Sequence, residues 1–530
     1  MKPNAALRHL LAAIGCATIA ISSASAQDGT WNQPTGGTYD WSDTGNWASG
    51  TVAGGADATA SFTVTPNNNQ TINLDTPVTI GNLSLTWTNR TLTLVGPETL
   101  TFAVTSGTPT ISTMAARMIR IESVIAGTDG LEITGGGTSG GVALAGANTF
   151  TGGIHLNGGS LGINNNFTST AGLNGNQITV TGTSWGAFVG GTNITGGVHI
   201  NADSEFRAGT NNNILNIIGA LTGSGTLTHQ QYGAGNQAIN ITDGSAFTGN
   251  IDYDMPRTAT TRVNSLGDAG RIRFGVDNFL NNQDRQHVFE FASGATADLV
   301  FNTREFEILG SAPTTAPRPN AAFEIRSNNA NHALIVNTDL INNHTGTEAN
   351  LRFSGSSTQA NTFAGNLTDG PGDGVVPSVL NIFKLNPGNW TLAGQNTYTG
   401  NTTVSAGTLT LADTSMSTFR IGDNNENNAI LGTGTINLDG MFFFDLTSAS
   451  TNAGDFWNIV AVGLNESYGS TFNVNSTLGT FTEDAGVWSL TDNGLTWEFS
   501  QSTGILTVIP EPTTALLGGL GLLALLRRRR

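Results

Sequence analysis

Two stretches of this chain are copies of one another, and a chain that repeats itself can fold by stacking like units. Residues Ala143 to Ile163 read ALAGANTFTGGIHLNGGSLGI, and residues Thr391 to Leu411 read TLAGQNTYTGNTTVSAGTLTL. They share Leu144 with Leu392, Gly146 with Gly394, Asn148-Thr149 with Asn396-Thr397, Thr151-Gly152 with Thr399-Gly400, Gly159 with Gly407, and Leu161 with Leu409. Weaker relatives begin at Asp243 (DGSAFTGNI) and Asn361 (NTFAGNL). Each unit reads as a short strand, a turn, a second strand and a third. An aromatic, Phe150 or Tyr398, caps one edge. Gly152 or Gly400 takes a corner that other residues would strain. One such unit cannot bury its apolar face alone, whereas stacked units can. Asparagines at the corners can then pair with their own kind in the next coil.

The rest of the body agrees with a stack of strands. In Leu83-Ser84-Leu85-Thr86-Trp87 every second residue is apolar, and Leu409 and Leu411 alternate in the same way. Runs of this length bounded by Gly and Asn are half-buried strands. Charged residues are only 11% of the chain and Gly numbers 69 of 530. Sparse charge together with alternating apolar residues argues against disorder. The formal net charge is −17. Lysine occurs only at Lys2 and Lys384. Such a chain lacks the clustered cations that grip phosphate, so nucleic acid is not an expected partner.

The repeat unit resembles the autotransporter-associated β-strand repeat, whose pattern is close to G-x-N-T-Y-T-G-x-T-x-V-x-x-G-T-L. The copy at 391–411 matches almost fully; the copy at 143–163 departs at Phe150, Ile154, Leu156 and Ser160. The resemblance implies an all-β fold, a right-handed parallel β-helix or β-solenoid. Autotransporters end in an outer-membrane barrel, and this chain does not end in that way, so self-translocation does not carry over.

The C-terminus has its own pattern. Pro510-Glu511-Pro512 is followed by an uncharged run to Leu526 and then by Arg527, Arg528, Arg529 and Arg530. The two prolines should end the last strand. The apolar run suits a short transmembrane helix, and the arginines would stay cytoplasmic. It is shorter than the ~20 residues of a full span. Either the preceding residues dip into the interface, or the helix is a transient signal. This tail resembles the PEP-CTERM sorting signal, in which an exosortase-type protease processes the tail and the body reaches the cell surface or extracellular matrix. A plain membrane anchor is the alternative.

At the other end, Lys2, Arg8 and His9 precede an apolar run, and Ala24-Ser25-Ala26 supplies the small residues signal peptidase needs. Cleavage would leave Gln27 first. The single cysteine, Cys16, falls in this leader, so the mature body would have no disulfide. The expected organisation is a signal peptide at 1–26, an aromatic cap at 27–75 (Trp31, Tyr39, Trp41, Trp47), a solenoid at 76–437, a β cap at 438–508 and the sorting signal at 509–530. Residues 257–352 hold nine of the fourteen arginines between 27 and 508. They read as less regular coils or an inserted subdomain.

Enzymes on β-helices need clustered acids. Asp252 and Asp254 share a strand face near Arg257, and Glu305 and Glu307 share one beside Arg304. Carboxylates two apart are common on exposed strand faces. The plain alternative is a solvated edge for the first pair. For the second it is an ion pair across coils with Arg271 and Arg273. The histidines lack metal-ligand spacing. No catalytic residue, metal or cofactor is therefore expected. The leading reading is a non-enzymatic exported surface or matrix protein. It is expected to begin as an inner-membrane-attached precursor, with signal peptidase, an exosortase-type protease and an exopolysaccharide as candidate partners. The runner-up is a secreted polysaccharide-binding or polysaccharide-cleaving β-helix, or an adhesin.

Overall fold

The computed structural model describes residues 25–510, except 88–89, 115–117, 136–140, 163–167, 189–190, 209–213, 231–235, 255–257, 276–285 and 311–321. The alternation in the sequence becomes burial. Leu83, Leu85 and Trp87 are all buried, and so are Leu409 and Leu411. Their polar neighbours face outward because successive side chains on a strand point to opposite sides. Each buried Leu contributes ~1.5–3 kcal/mol of hydrophobic stabilisation.

The strands pair in parallel with strands one turn of chain away. Gly29–Trp31 pairs with Thr59–Phe62, which pairs with Asn82–Leu85 and then with Thr110–Thr113. A second sheet stacks Gly37–Asp40, Gln70–Asn73, Thr91–Val95 and Met118–Ile121 in the same order. A third face carries Val78–Ile80, Leu100–Phe102 and Ile125–Ala126. From Asn193 onward a ten-stranded sheet takes over the third face. The chain thus visits up to three faces per turn and rises by one strand, with apolar side chains in the middle. This arrangement is consistent with a β-helix.

The turns are not of one length. His199 meets Thr222, 23 residues on, whereas Arg271 reaches Glu305, 34 residues on. The described strands of the arginine-rich stretch join the same parallel sheets, and turns of chain there reach 34 residues. Their interior is aromatic: Phe274 stacks on Phe306 at 6.0 Å and Phe289 meets Phe306 edge-on at 5.5 Å.

Aromatics cluster near both ends. Trp31, Trp41 and Trp47 are buried and pack in edge contacts, with centroids 5.0 Å apart for Trp31–Trp47 and for Trp41–Trp47. Parallel pairing already begins at Gly29, so Trp31 belongs to the first coil. At the far end, parallel stacking continues to Asn473–Ser476. An antiparallel sheet then follows, in the spatial order Phe456–Asn458, Ile505–Pro510, Leu495–Ser500, Val487–Asp492 and Thr482–Asp484. Trp457 stacks on Trp497 there at 5.7 Å. The strand expected to stop before Pro510 includes it. Pro510 sits opposite Leu495 at the strand's last position, where a missing N–H breaks no ladder further on.

The expected transmembrane helix falls outside the described residues. Among the described residues, no helix is long and apolar enough to cross a membrane.

Candidate functional sites

The repeat corner is built from three residue types. Asn148 is buried between coils. Its Oδ1 accepts from Ile125 N at 2.9 Å, and its Nδ2 donates to Gly172 O at 2.9 Å. Asn396, its counterpart, accepts from Leu367 N at 3.1 Å. Asn361 in the weaker relative accepts from Leu334 N and donates to Asn389 O, both at 3.0 Å. At Asn148 and Asn361 a single amide thus joins the coils on either side, whereas Asn396 bonds on one side only and its Nδ2 is buried without a partner. The aromatics do not cap an edge as expected: Phe150 and Tyr398 are buried in the core. A ring at that position gains more by filling the corner, and Tyr398 keeps its hydroxyl satisfied by Thr402 Oγ1 at 2.6 Å. Neither corner glycine has room for a Cβ, and Gly152 adds a conformational reason. Gly152 has φ +97°, which other residues rarely adopt, and a Cβ on Gly400 would lie 2.2 Å from Leu380 O.

Asparagine ladders are present on an outer face. Asn216 donates to Asn193 and Asn240 donates to Asn216, each at 2.9 Å. The file continues in register through Arg262, Glu290 and Arg326. Arg262 and Arg326 both reach Glu290, at 3.2 and 3.3 Å.

Asp252, Glu305 and Glu307 are held in ion pairs. Arg273 makes a two-pronged contact with Asp252, both bonds at 2.6 Å. Burial pushes the Asp252 carboxyl above its usual range, and the Arg273 bonds oppose that shift. The side chain of Asp254 and all of Arg257 lie outside the described residues. Arg271 holds Glu305 at 2.9 Å and Glu307 at 3.1 Å. Arg304 does not join them. It is fully buried and donates to the carbonyls of Gly267, Gly249 and Phe247 at 2.6, 2.9 and 2.9 Å. Burial lowers its pKa to about 10, so it stays charged at neutral pH. Lys384 is built alike: it is buried, and its Nζ donates to the carbonyls of Leu385, Asn386 and Ala406. Sequence reading placed Arg304 beside Glu305 and Glu307 and noted Lys384 without giving it a role; it missed that both cations are buried against carbonyls. For Lys384 the one signal was rarity, since it is the sole lysine between the two termini. Among the described residues, no three His, Cys, Asp or Glu side chains are grouped to hold a metal ion.

Of the processing sites, Ala24, Glu511, Pro512 and Arg527–Arg530 lie outside the described residues. Ala26 is exposed. Gln27 makes the first pairing of the fold, exchanging backbone bonds with Gly54 at 2.9 and 3.0 Å.

Known proteins were then compared with these two features, the corner repeats and the tail that follows the last strand. Residues 508–530 match the PEP-CTERM protein-sorting motif. Residues 139–163 and 382–411 match the passenger-associated-transport-repeat, at the two copies described above. The chain is 25% identical over 477 residues to the adhesin BmaC autotransporter of Brucella suis biovar 1 (strain 1330). That alignment covers 81% of this chain and 12% of the relative, so the chain spans about an eighth of that protein. No solved structure matches this chain significantly. The sorting motif and the adhesin relative support an exported surface protein.

Proposed function

We infer that this chain is a non-enzymatic surface protein whose body is a right-handed parallel β-solenoid. A leader cut after Ala26 would start its export, and an exosortase-type protease would process its tail. The observation that carries the reading is the position of the sorting motif, which starts at residue 508 inside the last strand. The tail can thus be removed without taking a coil with it. Right-handedness follows from the rule for parallel strands joined by a crossover. The first pairing at Gln27 supports cleavage just before it. The inner membrane would hold the precursor only in transit. The ion-paired state of Asp252, Glu305 and Glu307 supports a structural role for these acids over catalysis.

The test is the mass of the mature chain isolated from cells. A start at Gln27 and an end upstream of Arg527 are expected. A product retaining Arg530 overturns processing, and one retaining Met1 overturns export by the leader. Adhesion is the second reading, favoured by the adhesin relative. It predicts saturable attachment of the purified body to a partner cell surface.

A further inference from the structure

Arg262, Arg271, Arg273 and Arg326 are engaged in ion pairs, whereas three charged side chains around one groove are not. Between the strands Val379–Lys384 and Ile430–Gly432 runs a groove of about 550 Å³. Its size lies within the ~300–1,000 Å³ usual for ligand pockets. Thr399, Gly400 and Asn401 line it, and at Gly400 the backbone comes too close to the neighbouring coil for any side chain. One wall is the loop 421–428, which also contributes Asp423 and Glu426.

That loop is fixed by backbone groups and by side chains that bond the neighbouring turn of chain. Ile421 and Asn427 form an antiparallel bridge. Asn425 N donates to Phe456 O, Trp457 Nε1 donates to Asp423 O at 2.8 Å, and Asn427 Nδ2 donates to Asn458 O at 2.9 Å. On the other side, Asp369 binds the backbone N and hydroxyl of Thr399. Arg420 is held through its backbone by Asn428 Oδ1 at 2.7 Å. The Arg420 guanidinium and the Asp423 and Glu426 carboxylates make no hydrogen bond or ion pair among the described residues. The groove therefore presents one planar donor and two acceptors on a rigid frame.

We propose that this groove, lined by Arg420, Asp423, Glu426 and Asn401, binds a neutral oligosaccharide. Carboxylate and guanidinium each match a pair of adjacent hydroxyls, and the side-chain amide of Asn401 adds a donor. The lining has one aliphatic side chain, Val379, and no aromatic ring, which disfavours an apolar ligand. Two acids against one base disfavour a polyanionic one. The inference deepens the surface reading and rests on it only for the compartment in which glycan is met.

The experiment titrates the purified full chain with neutral tetra- to hexasaccharides of glucose, mannose, galactose and N-acetylglucosamine, followed by calorimetry. Saturable binding of at least one is expected. It should weaken tenfold or more in Arg420→Ala and in the double variant Asp423→Asn, Glu426→Gln. Ser448→Trp, which places a ring in the groove from an exposed position, should abolish it. Melting temperatures should stay within about two degrees of the parent, since none of these side chains braces the fold. No binding at millimolar sugar overturns the proposal, as does binding that survives all three variants or a protein ligand displaced by them. Location is read separately by labelling intact cells, so a failure of the surface reading is told apart from a failure of the groove.

Discussion

At the residue scale, the interior tolerates polar groups only where neighbours satisfy them. Arg304 satisfies three carbonyls that would otherwise be orphaned. Arg304→Leu should cost ~3–5 kcal/mol by leaving them bare, more than a typical core truncation of similar size. Urea denaturation of the variant checks this; an unchanged midpoint would contradict it. The histidines set a pH limit. His229 is fully buried beside Tyr253, with Nδ1 3.4 Å from the Thr261 hydroxyl, and burial lowers its pKa to about 3. His344 bonds Ser378 at 2.7 Å and is lowered by burial to about 4. The unfolded chain takes up these protons near pH 6.5, but the folded one does not until pH 4 or 3. Stability is therefore full above pH 6.5. It falls on acidification through that window by about 1.4 kcal/mol per pH unit for each histidine. Denaturation midpoints measured from pH 8 to 4 should be flat and then decline, and His344→Asn should remove about half the decline.

At the scale of the element, one coil is held to the next by its backbone ladder, its apolar residues and one corner amide. Asn148→Ala should cost ~1–3 kcal/mol by leaving Ile125 N and Gly172 O unpaired. Because coils touch only their neighbours, the damage should stay local. Hydrogen exchange should quicken around residues 121–180 and remain unchanged beyond residue 400. Much of this was legible in the sequence. Alternation identified Leu83, Leu85 and Leu409 as core, and the repeated Asn-Thr-aromatic-Thr-Gly marked the corner. What was not legible depended on the neighbouring coil. Phe150 and Tyr398 looked like edge residues because nothing local says that a corner has room for a ring. Arg304 looked like a partner for Glu305, its sequence neighbour. Yet adjacent residues on a strand face opposite ways, and the carbonyls it serves lie 37 to 57 residues away. The groove at 421–428 had no motif at all, because its walls come from separate turns of chain.

For the whole molecule, the fold relies on stacking alone. With its single cysteine at position 16 and none from residue 27 on, the body should melt at the same temperature with and without reductant; a drop would point to a covalent link between chains. We propose that the aromatic clusters at the two ends keep the terminal ladders from offering open strand edges to other molecules. Trp457→Ala, which removes the ring stacked on Trp497, should promote association at that end, seen as concentration-dependent growth in light scattering.

The unequal turn lengths have a mechanical consequence. A pull along the stack loads the backbone bonds between coils one rung at a time, so the chain should pay out in discrete lengths. A turn of 23 residues would release roughly 75 Å of chain and one of 34 residues roughly 110 Å, taking ~3.4 Å per residue less one strand spacing. The 34-residue turns would then be the long-stroke part of a tether, yielding more length per broken rung than the 23-residue turns.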